Sequence, residues 1–250
     1  MKQLREYTLA RVQLDRAGVV LATREVLTFQ LAHAAARDAV HQPLEPATLK
    51  MECDARGWPS ILVRSATPDR ITYLRRPDLG RRLNEPSTQV LTRGSEPPDL
   101  AIVLVDGLSA LAVHRHALAV LEALIPLLDG AGWARSQIVL VEQGRVAIGD
   151  EIGERLGAKM ALVLIGERPG LSSPDSLGAY LTWGPRIGRT DAERNCISNI
   201  RPEGLSYELA ARRIFSLMIE ARRRRLTGVA LKEDFASLPS SPAQARACSH

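Results

Sequence analysis

Downstream of residue 98 the apolar residues come in unbroken blocks, whereas upstream they come at helical spacing. The blocks are Leu-Ala-Ile-Val-Leu-Val within 99–105, Ile-Val-Leu-Val within 137–141 and Met-Ala-Leu-Val-Leu-Ile at 160–165. Short runs of this kind, bounded by turn residues, read as strands buried on both faces, and both faces are buried only where helices cover them. The intervening segments supply those helices. Ser109 caps one with Val113, Ala117, Val120, Leu121, Leu124 and Leu128 along one side. Asp150 and Glu151 open a shorter one that sets Ile152 and Leu156 four apart and stops at Gly157. Strand, helix, strand, helix, strand makes a parallel α/β unit with right-handed crossovers. Residues 177–183 add a further strand. Residues 206–226 form a long helix with Ala210, Ile214, Leu217, Met218 and Ala221 inward, Glu208 in its first turn, arginines at 222–225 in its last and Gly228 as its stop.

Upstream, Thr23 is placed to cap a helix whose first turn carries Glu25, followed by Val26, Leu27, Gln30, Leu31, Ala34 and Ala35. A second helix spans 46–55 and ends before Gly57. Residues 73–83 form a turn with four arginines around Pro77 and Gly80. The tandem prolines of Gly94-Ser-Glu-Pro-Pro98 cannot continue a helix and mark a boundary. The expected organisation is a mainly helical domain over 1–93, an α/β domain with a mainly parallel sheet over 94–232, and a frayed tail over 233–250.

Composition narrows the function classes. Hydrophobic residues make up 45% of the 250, enough for a core, while aromatic content is only 4%, so aliphatic side chains do most of the packing. The net charge of +5 suits an anionic ligand or an acidic partner as well as it suits nucleic acid. Cys53, Cys196 and Cys248 are odd in number, far apart and without a CxxC spacing, which argues against a disulfide framework or a zinc ribbon. The start, Met1-Lys-Gln-Leu-Arg-Glu-Tyr, lacks the apolar core of a signal peptide, and no unbroken apolar run approaches the ~20 residues of a membrane span.

In open α/β sheets ligands sit outside the carboxyl ends of the strands. Gly166, Glu167 and Arg168 occupy such an end, and loops carrying Arg145 with Val146 and Asn195 with Cys196 are expected to wall the same pocket. Glu167 can accept hydrogen bonds from ligand amides or pair with an arginine, and the residues alone leave both open. Cys196 reads as a small pocket-lining residue, since Arg194 is near but no general base is identifiable. Asp106 closes a turn with Gly107 or serves as a functional acid. His33 and His41, two helical turns apart, read as surface or interface residues, and consecutive arginines at 222–225 point around a helix and cannot all face one duplex. The glycine fingerprints of dinucleotide and nucleoside triphosphate binding are both missing, and Gly149, Gly153 and Gly157 have the wrong spacing to replace them.

An ordered set of motifs is similar to the small (light) subunit of ethanolamine ammonia-lyase. It comprises Tyr73-Leu-Arg-Arg-Pro-Asp-Leu-Gly-Arg-Arg-Leu83, Asp106-Gly-Leu-Ser109, Gly144-Arg-Val, Asp150-Glu-Ile-Gly-Glu, Leu156-Gly-Ala-Lys159, Gly166-Glu-Arg-Pro-Gly-Leu171 and Cys196-Ile-Ser-Asn-Ile200. The set extends over most of residues 65–230, and residues 1–60 match more loosely. The resemblance implies a Rossmann-like three-layer domain preceded by a helical one. It implies a lyase that deaminates ethanolamine to acetaldehyde and ammonia with adenosylcobalamin (coenzyme B12) as radical source. This chain would be the non-catalytic subunit, holding neither catalytic residues nor metal ligands. The corrinoid would lie between it and a large, TIM-barrel subunit, in a hetero-oligomer expected to be a dodecamer.

Carried over by motif, the cofactor contacts are Val146, Glu167 and Cys196. Val146 would press on the corrin or its nucleotide loop, Glu167 would accept from peripheral carboxamides, and Cys196 would offer a compact, polarizable contact. An Asp-x-His-x-x-Gly motif is absent, since His114 and His116 stand at the wrong distance from Asp106, so the resemblance implies base-on cobalamin. Partners would exclude nucleic acid and membrane, and the location would be cytoplasmic, with enclosure in a bacterial microcompartment as a family option. The alternatives are a free-standing nucleotide-binding enzyme on a Rossmann-like fold and a basic nucleic-acid-binding module. The first suffers from the missing glycine fingerprint and the second from a lack of aromatic stacking residues.

Overall fold

The computed structural model describes residues 16, 17 and 20–231. The expected tail over 233–250, with Cys248, lies outside the described residues. Six strands form one sheet: β3 (Ser60–Arg64), β4 (Leu100–Val105), β5 (Ile138–Glu142), β6 (Met160–Gly166), β7 (Leu177–Trp183) and β8 (Arg194–Ile200), in the order β3-β5-β4-β6-β7-β8. Strands β3, β5, β4 and β6 run parallel, and β7 and β8 are added antiparallel. The class is therefore α/β with a mixed, mostly parallel sheet. A separate antiparallel pair joins β1 (Arg16–Ala17) to β2 (Val20–Leu21).

The helices are α1 (Thr23–His41), α2 (Pro46–Ala55), α3 (Arg70–Arg75), α4 (Glu85–Val90), α5 (Ala110–Ala112), α6 (Leu118–Gly130), α7 (Ile148–Leu156) and α8 (Tyr207–Arg224). A five-residue π turn, Val113–Ala117, joins α5 to α6. Strand side chains alternate between faces, and the two cores follow that alternation. Leu100, Ile102, Leu104, Leu140, Leu162 and Leu164 pack with α6 and α8 on one face. Ala101, Val103, Val105, Val139, Val141, Val163 and Ile165 pack with Ile148, Ile152 and Leu156 of α7 on the other. The helical stretch Ala110–Gly130 is long and apolar enough to cross a membrane, although no unbroken apolar run reaches that length. Its side chains are spent on the first of these cores, as expected of a central helix.

Helix α7 lies close because it carries glycines where it meets the sheet. A Cβ on Gly149 would stand 2.3 Å from Val163 Cγ2, and one on Gly153 would stand 2.4 Å from Pro185 Cγ. The first two glycines of the four-residue recurrence are thus a packing groove, and the third, Gly157, is the left-handed cap that ends α7.

Several local expectations change. Strand β3 lies in the region read as mainly helical and pairs with β5 as the sheet edge. Asn195 and Cys196, read as part of a loop, lie in strand β8, because Ile197 and Ile200 are buried while Cys196 and Ser198 face outward. Thr23 is the first residue of α1 and not its cap: extended Ala22 holds that position without a side-chain bond. Ser109 and Ser206 do cap their helices, accepting from the amides of Ala112 and Leu209. Helix α8 ends at left-handed Arg225 and not at Gly228, whose positive φ instead lets the chain pass against Ala192 and Glu193.

Candidate functional site

Strand β4 feeds α5 on one face of the sheet and β5 feeds α7 on the other. Connections that leave adjacent parallel strands to opposite faces open a crevice at their carboxyl ends. There a cleft of about 450 Å³ is lined by Gly107 and Leu108 after β4, Arg145 and Val146 after β5, and Ile165 to Arg168 at the end of β6. Tyr73 forms part of its floor, and Tyr180 and Ser198 from β7 and β8 form a side wall.

The floor is anchored by Asp106. Only 1% exposed, its carboxylate accepts the backbone N–H groups of Gly107, Gln143 and Gly144 at 2.8–2.9 Å. Arg70 Nη1 stands 3.4 Å from Oδ2 and also donates to the Gly107 carbonyl at 2.9 Å. Burial pushes the Asp106 carboxyl up to about 6 against the pull of Arg70 and the three amides. Of the two roles open to Asp106, this geometry serves the structural one: the acid is spent on tying the β5–α7 loop to the end of β4.

The other side of that loop is held by the 70–83 segment. Tyr73 is fully buried, donates its hydroxyl to the Gly144 carbonyl at 2.9 Å, and lies between the guanidinium groups of Arg70 and Arg145, 4.6 and 4.0 Å from its ring centre. Arg145 returns a bond from Nη2 to the Tyr73 carbonyl at 3.0 Å, and its amide donates to Gly80 at 2.7 Å. A Cβ on Gly80 would come within 2.9 Å of Arg145 Cγ, which explains a glycine there. Val146 is thereby held half-buried at the cleft edge.

Glu167 opens the β6–β7 loop, and its oxygens are held by hydroxyls and an amide. Ser176 Oγ donates to Oε2 in a short bond, Ser198 Oγ donates to Oε1 at 2.5 Å, and the Asn199 amide approaches Oε2 at 3.3 Å. Asn199 reaches that position in a left-handed conformation, φ 59°. A carboxylate offers about four lone-pair sites, so three donors leave room for one more from the cleft.

Cys196 is exposed on β8, directly across from Tyr180 of β7. It is not among the residues lining the cleft, although its neighbours Tyr180 and Ser198 are. Burial first, and then the nearby thiol and Glu167, raise the Tyr180 phenol well above its ordinary range. Val146 and Glu167 therefore meet in one cleft, and Cys196 stands on its rim. Cys53 is a core residue of α2 whose thiol is pushed up to about 11, chiefly by burial.

Residues 1–232 match the family described as "Ethanolamine ammonia-lyase light chain (EutC)". The chain is 60% identical over 237 residues to the ethanolamine ammonia-lyase small subunit of Azotobacter vinelandii, covering 93% of this chain and 88% of that protein. It is 57% identical over 234 residues to the same subunit of Ralstonia nicotianae (92% and 87% covered) and 58% over 235 residues to that of Pseudomonas aeruginosa (92% and 86%). The chain belongs to the ethanolamine ammonia-lyase light-chain family.

In this light chain the histidines nearest the cleft's elements are committed elsewhere. His114 Nε2 accepts the Glu45 amide at 3.0 Å, and His116 Nδ1 lies 2.9 Å from the Tyr207 hydroxyl, both on the α6 and α8 side of the sheet. Burial lowers the pKa of both imidazoles. No histidine appears among the lining residues of the cleft. Sequence reasoning singled out Asp106 but missed the other residues that build the floor, Tyr73 and Arg70, and the contacts that Asp106 makes with the β5–α7 loop. The partners of these floor residues lie 36–73 residues away, although Tyr73 and Asp106 sit inside the family motifs.

Proposed function

We propose that this chain is the small subunit of an adenosylcobalamin-dependent ethanolamine ammonia-lyase and holds one side of the cofactor against a large, TIM-barrel subunit. The observation that carries the proposal is a half-open cleft at the strand ends of a light-chain family member, lined by two of the three residues the family motifs single out, Val146 and Glu167. The donor set fits a corrinoid. Leu108, Val146 and Ile165 offer apolar surface to the ring, Glu167 has acceptor capacity for a peripheral carboxamide, and Arg145 and Tyr180 can serve carbonyl or anionic oxygens. Cys196, on the rim, would touch the part of the cofactor that projects beyond the cleft. Without a histidine among the lining groups, a cofactor that keeps its own base on cobalt is the better match.

When bound, the cofactor supplies a carbon-centred radical from its carbon–cobalt bond, and the protein's share is to bind, orient and shield. This chain's residues would grip the periphery of the macrocycle. A corrinoid is far larger than a 450 Å³ cleft, so a second surface must cover the remainder. That surface is assigned to the large subunit, which would also select the amino alcohol.

The test is ammonia release from ethanolamine. The chain alone with adenosylcobalamin is expected to release none, and addition of a large subunit is expected to start turnover and yield a stable hetero-oligomer. Multiple turnovers by the chain alone, with large subunit excluded by mass spectrometry, would overturn the proposal.

A further inference from the structure

The antiparallel side wall of the cleft is joined to α7 by one buried ion pair. Arg194 opens β8, two residues before Cys196 and four before Ser198. Asp150 lies in the first turn of α7, four residues after Val146. Their side chains are 2% and 4% exposed, and Arg194 Nη1 stands 2.6 and 2.8 Å from the two Asp150 oxygens. The same nitrogen approaches Thr182 Oγ1 of β7 at 3.3 Å, while Nη2 donates to the Arg189 carbonyl at 2.8 Å and Nε faces Asp191 at 3.3 Å. One guanidinium thus gathers α7, β7, β8 and the β7–β8 connection.

From this geometry we infer that Asp150 and Arg194 are positioning residues for the cofactor cleft, fixing the separation between its Val146 wall and its Tyr180–Ser198 wall. The inference rests on the proposed cobalamin reading of that cleft. No side chain of either residue lines the cleft, so the pair acts through the elements it joins. Removing one member leaves a buried charge without its partner, so a loss of stability alone would say nothing about position. Two comparisons separate the roles. Leu217 packs in α8 on the opposite face of the sheet, and Leu217→Ala supplies a destabilised variant with an unaltered cleft. Since a single nitrogen of Arg194 serves both carboxylate oxygens, a lysine retains that charge contact while losing the bonds to Arg189 and Asp191.

The experiment is equilibrium dialysis of cyanocobalamin, an unreactive probe, against the complex of this chain with its large subunit, with thermal midpoints recorded in parallel. Arg194→Gln is expected to weaken binding about ten- to a hundred-fold, the range known for partners that support metal-binding groups. Arg194→Lys should recover part of the loss, and Leu217→Ala should bind like wild type despite its lower midpoint. Thr182→Val, a milder change that keeps the ion pair, should fall between wild type and Arg194→Gln, and serves in its place if that variant does not assemble. Wild-type affinity in Arg194→Gln, or in Thr182→Val where Arg194→Gln does not assemble, would overturn the inference, as would equal weakening in Leu217→Ala. Failure of the wild-type complex to retain cyanocobalamin would overturn the cobalamin reading itself, and this inference with it.

Discussion

The hydroxyl of Tyr73 donates a 2.9 Å hydrogen bond to the carbonyl of Gly144, across 71 residues of chain. Both residues are buried, and the loop that begins at Gly144 carries Arg145 and Val146 into the cleft. The bond therefore ties the arginine-rich 70–83 segment to the site.

Tyr73→Phe keeps the ring and its two stacked guanidinium groups but removes this donor. A buried acceptor deprived of its partner costs about 1–3 kcal/mol. Urea unfolding should show a loss of that size with an unchanged m-value, and a wild-type midpoint would mean that the carbonyl finds another donor.

Asp106 gives stability a signed pH dependence. Its folded-state carboxyl is raised to about 6 from 3.8, so the folded protein holds this proton more tightly than the unfolded chain does. Where the native state binds more protons, stability falls as pH rises, here between roughly 4 and 6. Asp106→Asn removes that slope and also turns an amide NH2 toward N–H donors, so it should be the less stable protein throughout. The gap between wild type and variant should be wider at pH 5 than at pH 7.5 by about 1 kcal/mol. A gap that narrows toward pH 5 would contradict this assignment. The variant is the needed reference, because His114 and His116, whose pKa values are lowered, produce the opposite slope.

Glu167→Gln tests the cofactor contact with little disturbance of the fold. The hydroxyls of Ser176 and Ser198 can rotate to accept from an amide, so they tolerate the change. Loss of a charge-assisted bond to a carboxamide costs about 1.5–3 kcal/mol, or roughly ten- to a hundred-fold in affinity. Cobalamin titration of the assembled complex should show that loss at a near wild-type thermal midpoint. Unchanged affinity would remove Glu167 from the contact set.

The central strands and the helices that follow them were legible because each announces itself locally, by an unbroken apolar run or by an apolar face. Glu167 was legible for the same reason: it follows such a run directly. Strand β8 was not, because it is an edge strand with one face open, and its outward Cys196 and Ser198 make the segment look like a polar loop. Strand β3 is five residues long and finds its partner in β5, 78 positions further on, a pairing that leaves no local trace. The turn that Asp106 closes with Gly107 was legible, but the role of Tyr73 and the longer reach of Asp106 were not, since only the fold shows that a tyrosine and an acid hold a glycine loop from two sides.

Every wall of the cleft is joined to another by contacts between residues far apart in the chain. Tyr73 reaches Gly144, Asp106 reaches Gln143, Glu167 is reached by Ser198, and Asp150 meets Arg194. Such contacts form only after long loops have closed, which makes them late and costly events in folding. An isolated fragment, or a collapsed state with secondary structure alone, therefore has no cleft. During refolding, ligand-binding competence should emerge with the slowest, global phase, so on the proposed cobalamin reading corrinoid capture would report complete folding.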